Sequence, residues 1–179
     1  MANPAPELFD VVDEHDRVLR QEIRAEVHRL RLYHRAVHIL LFNRGGNVYL
    51  QRRSNQKDTY PGRWTTSCSG HVDAGEDYHQ AARRELGEEL GLHLPPEIAP
   101  EPFLKHPPNR ATGQEFIWIY SLVSDTQLVP DPAEVAEGRW VTPVELDTMM
   151  AREPMTFTPS FILVWKLWRE KNAGDWARG

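Results

Sequence analysis

The chain reads as an α+β fold in which mixed sheets are sandwiched between helices. Three observations predict it. A dense apolar run, Ala36 to Phe42, has the length and composition of a buried strand. Helical spacing appears at 77–91 and again near the C-terminal end. Strands and helices are interleaved without a regular β-α-β rhythm, which argues against a doubly wound parallel sheet. The composition agrees: of 179 residues, 40% are apolar and 26% charged, as in a globular chain.

The elements follow in order. Residues 1–6 form a flexible tail, and 7–175 form a single domain. Leu8–Val12 and Arg17–Gln21 make a hairpin closed by the polar turn 13–16. Glu22–Leu30 is expected as a helix. Residues 36–53 form a second hairpin around Asn43-Arg44-Gly45-Gly46. Ser54–Arg63 is a polar loop, and Trp64–Ser69 one strand. A helix over 78–90 follows. Pro102–Lys105 and Glu115–Val123 are strands on either side of the loop 107–114, and Glu137–Val141 is a short strand. Helices at Val144–Ala151 and Ser160–Lys171 complete the chain.

Composition excludes several functions. A net charge of −5 leaves no broad basic surface for DNA. No run approaches the ~18 apolar residues of a membrane helix. The start of the chain lacks a basic-then-apolar signal pattern. The single cysteine, Cys68, makes no internal disulfide. A cytoplasmic protein is the expectation.

The stretch Gly70–Leu92, GHVDAGEDYHQAARRELGEELGL, carries the chemistry. Asp77 is placed to cap the helix with Gln80, and Gly91 to end it. At 100° per residue Tyr78, Ala82, Leu86 and Leu90 make an apolar stripe. Glu85 and Glu89 fall inside its arc and Glu88 at its edge. Like charges at i,i+3 and i,i+4 repel, and more strongly when partly buried. Three carboxylates on the core side require a cation. Hard oxygen ligands at this spacing suit Mg²⁺, with Mn²⁺ as the substitute. Mg²⁺ held this way is the usual partner of a diphosphate.

Gly70, Glu76, Arg84, Glu85, Leu86, Glu88, Glu89, Gly91 and Leu92 match G-x5-E-x7-R-E-U-x-E-E-x-G-U, the Nudix box, at every fixed position. At roughly 6% abundance per residue type, the seven fixed matches arise by chance about 10⁻⁹ times per start site. The chain thus resembles the Nudix family, and the strand layout around 70–92 resembles the Nudix fold. The resemblance implies hydrolysis of a diphosphate in a small nucleotide-like or other diphosphate substrate. It implies Glu85, Glu88, Glu89 and the Gly70 carbonyl as metal ligands, with Glu88 or Glu89 serving as base. Glu76, Arg84 and Gly91 take structural roles. Nudix relatives often dimerise, so a homodimer is one expected state.

A second layer resembles type 1 isopentenyl-diphosphate isomerase, a Nudix-fold relative. It comprises His34-Arg35-Ala36, Gln51-Arg52-Arg53, Lys57 to Gly62, Trp64-Thr65 and Ser69-Gly70-His71. That resemblance implies His34 and His71 as alternative metal ligands and Glu115 as a catalytic and metal-binding glutamate. It implies Arg52, Arg53 and Lys57 as substrate-binding cations, chemically apt for phosphate. Two departures stand against isomerisation. Ser69 occupies the isomerase cysteine position, and Gly113 stands where a partner glutamate is expected. Cys68 is one residue off, on the opposite face of a strand, and is expected to pack as a small apolar residue. His38 is expected as a satisfied core histidine, and His28 has no spacing argument. Trp64 and Trp118 are core candidates that could also stack on a base or cover an isoprenoid tail. The readings are therefore a Mg²⁺-dependent hydrolase, an isomerase-like enzyme, and a nucleotide-sensing module without turnover.

Overall fold

The computed structural model describes residues 6–172. The tail at 1–5 and the last residues assigned to the domain, 173–175, lie outside the described residues. The chain opens with an antiparallel hairpin of β1 (Leu8–Val12) and β2 (Val18–Ile23). Asp13 closes its turn by accepting from the backbone N–H groups of His15 and Arg17. The following helix is shorter than expected. Glu22 and Ile23 are held in β2 by pairing with Phe9 and Leu8, so α1 spans only Arg24–Arg29.

A seven-stranded mixed sheet is built around β3 (His34–Phe42), which is buried along almost its whole length. β3 runs parallel to β8 (Glu115–Val123) over nine residue pairs, from His34↔Glu115 to Phe42↔Val123. The expected hairpin 36–53 forms only at its closed end. β3 meets β4 (Val48–Arg53) at Phe42↔Val48 and the two then diverge. The cause is the stretch expected as one strand over 64–69. It breaks into β5 (Trp64–Thr65), paired with β4, and β6 (Cys68–His71), paired with β3. Ser67 sits in the fork. Its hydroxyl accepts from Leu41 N–H at 2.8 Å and donates to the Tyr49 carbonyl at 2.6 Å. One side chain thus satisfies a donor and an acceptor that a continuous β3–β4 ladder would have paired. β7 (Glu101–His106) borders β8, and β9 (Val135–Val141) borders β4.

Side chains of β3 alternate between two cores. Val37, Ile39 and Leu41 face α2 (Tyr78–Leu90), meeting Ala82, Leu86 and Leu90. Ala36, Leu40 and Phe42 face the other way. There they meet Leu146 of α3 (Pro143–Arg152) and Phe161, Val164 and Trp165 of α4 (Pro159–Lys171). The sandwich of sheet between helices is therefore present. Among the described residues no helix is long and apolar enough to cross a membrane.

Candidate functional site

The site is assembled on α2. Asp77 and Gln80 form the expected capping box, and Gly91 ends the helix at φ 63°. Arg84 is the organiser. Its guanidinium grips both oxygens of Glu76, at 3.0 and 2.8 Å, and donates to the His71 carbonyl at 2.9 Å. It also reaches Glu85 at 2.7 Å and Glu88 at 3.0 Å. Helix, preceding loop and β6 are thereby locked together. Partial burial works against the Arg84 charge, but Glu76 and Glu85 hold its pKa above the ordinary value.

Glu85 and Glu89 turn inward, as their angular position demanded, while Glu88 is 59% exposed. Glu89 is 4% exposed, and one of its oxygens accepts from Gln51 Nε2 at 2.8 Å and Ser69 N at 3.1 Å. Burial raises its pKa despite those bonds. Burial and the neighbouring Glu89 push Glu85 up to about 8. Gly70 is where this carboxylate fits: a Cβ there would lie 2.0 Å from Glu85 Cδ. Two desolvated carboxylates against one arginine make a site short of positive charge, and the donor set is all oxygen. This fits a hard divalent cation.

A second corner holds histidines. His34 comes from β3, His71 from β6, Glu115 from β8 and His28 from α1. His28, His34 and His71 each offer a ring nitrogen, all within 4.8 Å of one another. Glu115 Oε1 lies 3.2 Å from His71 Nε2 and 3.7 Å from His34 Nε2. His34 Nδ1 meets the Leu32 carbonyl at 2.9 Å, so Nδ1 carries a proton and Nε2 is the ring nitrogen turned toward Glu115. That Nε2 is buried with no hydrogen-bond partner. Burial opposes the Glu115 charge, but His34 and His71 outweigh it and hold the carboxyl well below the usual carboxylate range. Partial burial, then His71 and His34, push His28 down to about 4. Three imidazole rings beside a carboxylate fit a borderline ion such as Mn²⁺ or Zn²⁺. Sequence spacing missed His28. Its only signal was a third histidine within six residues of His34, and the turn at Arg31 (φ 54°) is what folds it back.

Both corners open into one cavity of about 1010 Å³. Arg53 and Lys57 line it. Each already has a partner: Arg53 Nε donates to the Thr59 carbonyl at 2.9 Å, and Lys57 pairs with Glu134. Arg52 does not line the cavity. Strand alternation along β4 turns Gln51 and Arg53 inward and Arg52 outward, where it pairs with Glu137 at 3.3 Å. Trp64 and Trp118 do not line it either. Trp64 packs under the Arg139 guanidinium and Trp118 against Tyr78, so neither stacks on a ligand there. His38 is buried, 3.1 Å from the Thr66 hydroxyl, and burial pushes it down to about 4. Cys68 is fully buried in the apolar cluster under α2, and burial raises its thiol pKa.

The profile of the NUDIX domain family matches residues 32–161. A Nudix hydrolase of Yersinia pestis is 35% identical over 95% of this chain and 91% of its own length. An isopentenyl-diphosphate Delta-isomerase of Nocardia farcinica is 39% identical over 84% of this chain and 87% of its own. The crystal structure of DR0079 from Deinococcus radiodurans superposes with a TM-score of 0.72 at 32% identity. It covers 82% of this chain and 90% of that one. With the box residues assembled on α2, these matches place the chain in the NUDIX domain family, as a hydrolase acting on phosphorus anhydrides.

Proposed function

We propose that this enzyme is a Mg²⁺-dependent hydrolase of a diphosphate linkage in a small nucleotide-like substrate, with Glu85, Glu88, Glu89 and the Gly70 carbonyl holding the ion. The observation that carries the reading is the pair of inward carboxylates, Glu85 and Glu89, both with raised pKa and opening on the 1010 Å³ cavity. A bound divalent ion supplies positive charge to phosphate oxygens and lowers the pKa of a bound water. The chain's own residues do the rest. Arg84 fixes the carboxylates in place. Arg53 and Lys57 stand at the wall where phosphate charge would lie. Of the three glutamates considered as proton acceptor, Glu89 is the one buried on the cavity wall, and burial raises its pKa, the direction a base working near neutrality needs. Glu88 is solvated beside Arg84, and Glu115 is held low by its histidines.

The test is phosphate release, with and without Mg²⁺, from nucleoside di- and triphosphates, ADP-ribose, dinucleotide cofactors, coenzyme A and isopentenyl diphosphate. Release should require the ion, with Mn²⁺ substituting, and fall at least ~100-fold in Glu89→Gln. Release indifferent to both would overturn the reading.

The histidine corner favours a second reading, isomerisation of isopentenyl diphosphate, because His34, His71 and Glu115 converge with His28. Ser69 lines the cavity where that chemistry would need a thiol. Deuterium uptake from heavy water into isopentenyl diphosphate would establish it, and no uptake would remove it.

A further inference from the structure

Tyr60 stands apart among the residues that line the cavity. It has φ 49°, in the left-handed region that bulky side chains avoid, and it directly precedes Pro61. Only two other non-glycine residues share a positive φ among the described residues, and each has a local reason. Arg31 terminates α1, where Leu32 N donates to the Val27 carbonyl in the usual left-handed ending. Asp16 occupies a hairpin turn, where aspartate tolerates this conformation. Tyr60 has neither excuse, and strain of this kind persists only where surrounding contacts impose it.

Those contacts are visible. Gly62 N donates to the Arg53 carbonyl at 3.0 Å, and Arg53 N to the Arg63 carbonyl at 2.9 Å, closing the loop 54–63 on itself. The Arg53 guanidinium pins Thr59, the neighbour of Tyr60, through its carbonyl and hydroxyl. The Arg63 guanidinium covers the Tyr60 ring with its centre 5.1 Å from the centroid, and is tied to the Phe157 carbonyl. Tyr60 is thus held on a pinned loop, with a cation over its ring, and is still 44% exposed where it lines the cavity.

We propose that the Tyr60 ring is a stacking platform that selects a flat heteroaromatic group, a nucleobase, on the diphosphate substrate. The proposal rests on the reading of the cavity as the diphosphate site. An alkyl tail finds little to bind in the same cavity. Its larger apolar lining residues, Phe9, Val27 and Val37, are at most 1% exposed. Base–aromatic stacking asks for one rigid, accessible ring, and Tyr60 supplies it.

The experiment is calorimetric binding to the native protein and its Tyr60 variants, with the uncleavable methylene-bridged analogues of ADP and inorganic pyrophosphate as probes in the presence of Mg²⁺. Tyr60→Ala should weaken the ADP analogue about 5- to 100-fold and leave the pyrophosphate analogue unchanged. Tyr60→Phe should bind both like the parent, since the hydroxyl takes no part. Tyr60→Gly relieves the strain, so it should keep or raise the melting temperature while losing the same affinity for the ADP analogue. Equal losses for the two analogues, or no loss for either, would overturn the platform and leave the hydrolase reading standing. Failure of both probes to bind the parent would remove the diphosphate site, and Tyr60 with it.

Discussion

Glu85 shows how one residue couples stability to chemistry. Its folded pKa is about 8 against an ordinary 4.5. The folded chain therefore keeps a proton that the unfolded chain has released between those values. Stability from this group is complete below pH 4.5 and is lost as pH rises through 8. The metal-free melting temperature should fall between pH 5 and 9, and Glu85→Gln should flatten that slope. At pH 8 the variant should be more stable than the parent by about 1–3 kcal/mol while losing activity. A lower metal-free melting temperature at pH 8 in Glu85→Gln would contradict this placement. Mg²⁺ should abolish the slope in the parent and release a proton as it binds near pH 7, readable by calorimetry in buffers of different ionisation heat. The inward turn of Glu85 and Glu89 was legible in sequence, because helix geometry alone fixes their angle to Leu86 and Leu90. The outward turn of Arg52 follows from strand alternation once Gln51 is known to face Glu89, a contact no local pattern reveals.

Between elements, close approach decides what a motif glycine is for. Gly70 lets β6 lie against α2, since Glu85 Cδ occupies the place of a Cβ. Gly70→Ala should displace that carboxylate by an ångström or more. We expect a fold that still melts cooperatively and a kcat about 100-fold lower, the usual result of misplacing a catalytic group by that distance. A kcat within a few-fold of the parent would show that Glu85 need not sit there. The capping box of Asp77 and Gln80, the ending at Gly91 and the strand Glu115–Val123 were all readable, because each depends on residues adjacent in sequence. The fork between β3 and β4 was not. It depends on Ser67 bridging Leu41 and Tyr49, which are 26 and 18 residues away.

Across the molecule, the N-terminal hairpin completes the histidine corner, and Asp16 docks it. The Asp16 side chain is 5% exposed and accepts from Arg35 Nε at 2.6 Å, from the Tyr78 hydroxyl at 2.9 Å and from Lys105. One carboxylate thereby ties the hairpin to β3, α2 and β7. The docked hairpin stacks Phe9 on His34, with ring centroids 5.7 Å apart and planes 7° from parallel, and leads into the helix that carries His28. Asp16→Ala leaves Arg35 without its carboxylate and should cost about 3 kcal/mol. It should also weaken Mn²⁺ or Zn²⁺ binding at the histidines more than it lowers Glu89-dependent phosphate release. Thermal melts with metal titrations check this, and an unchanged melting temperature and metal affinity would count against the role given to Asp16.

The sequence alone determined the class of the fold, the helix that bears the carboxylates, its two ends and the family. All of these are written in local periods and fixed spacings, where one residue constrains the next few. The tertiary structure decided the rest: the split of the sheet, the arrival of His28, the partners that occupy Arg53 and Lys57, and the cavity that both corners share. Such features arise where elements distant in sequence meet, and the side chains that make them carry no period by which they could be read beforehand.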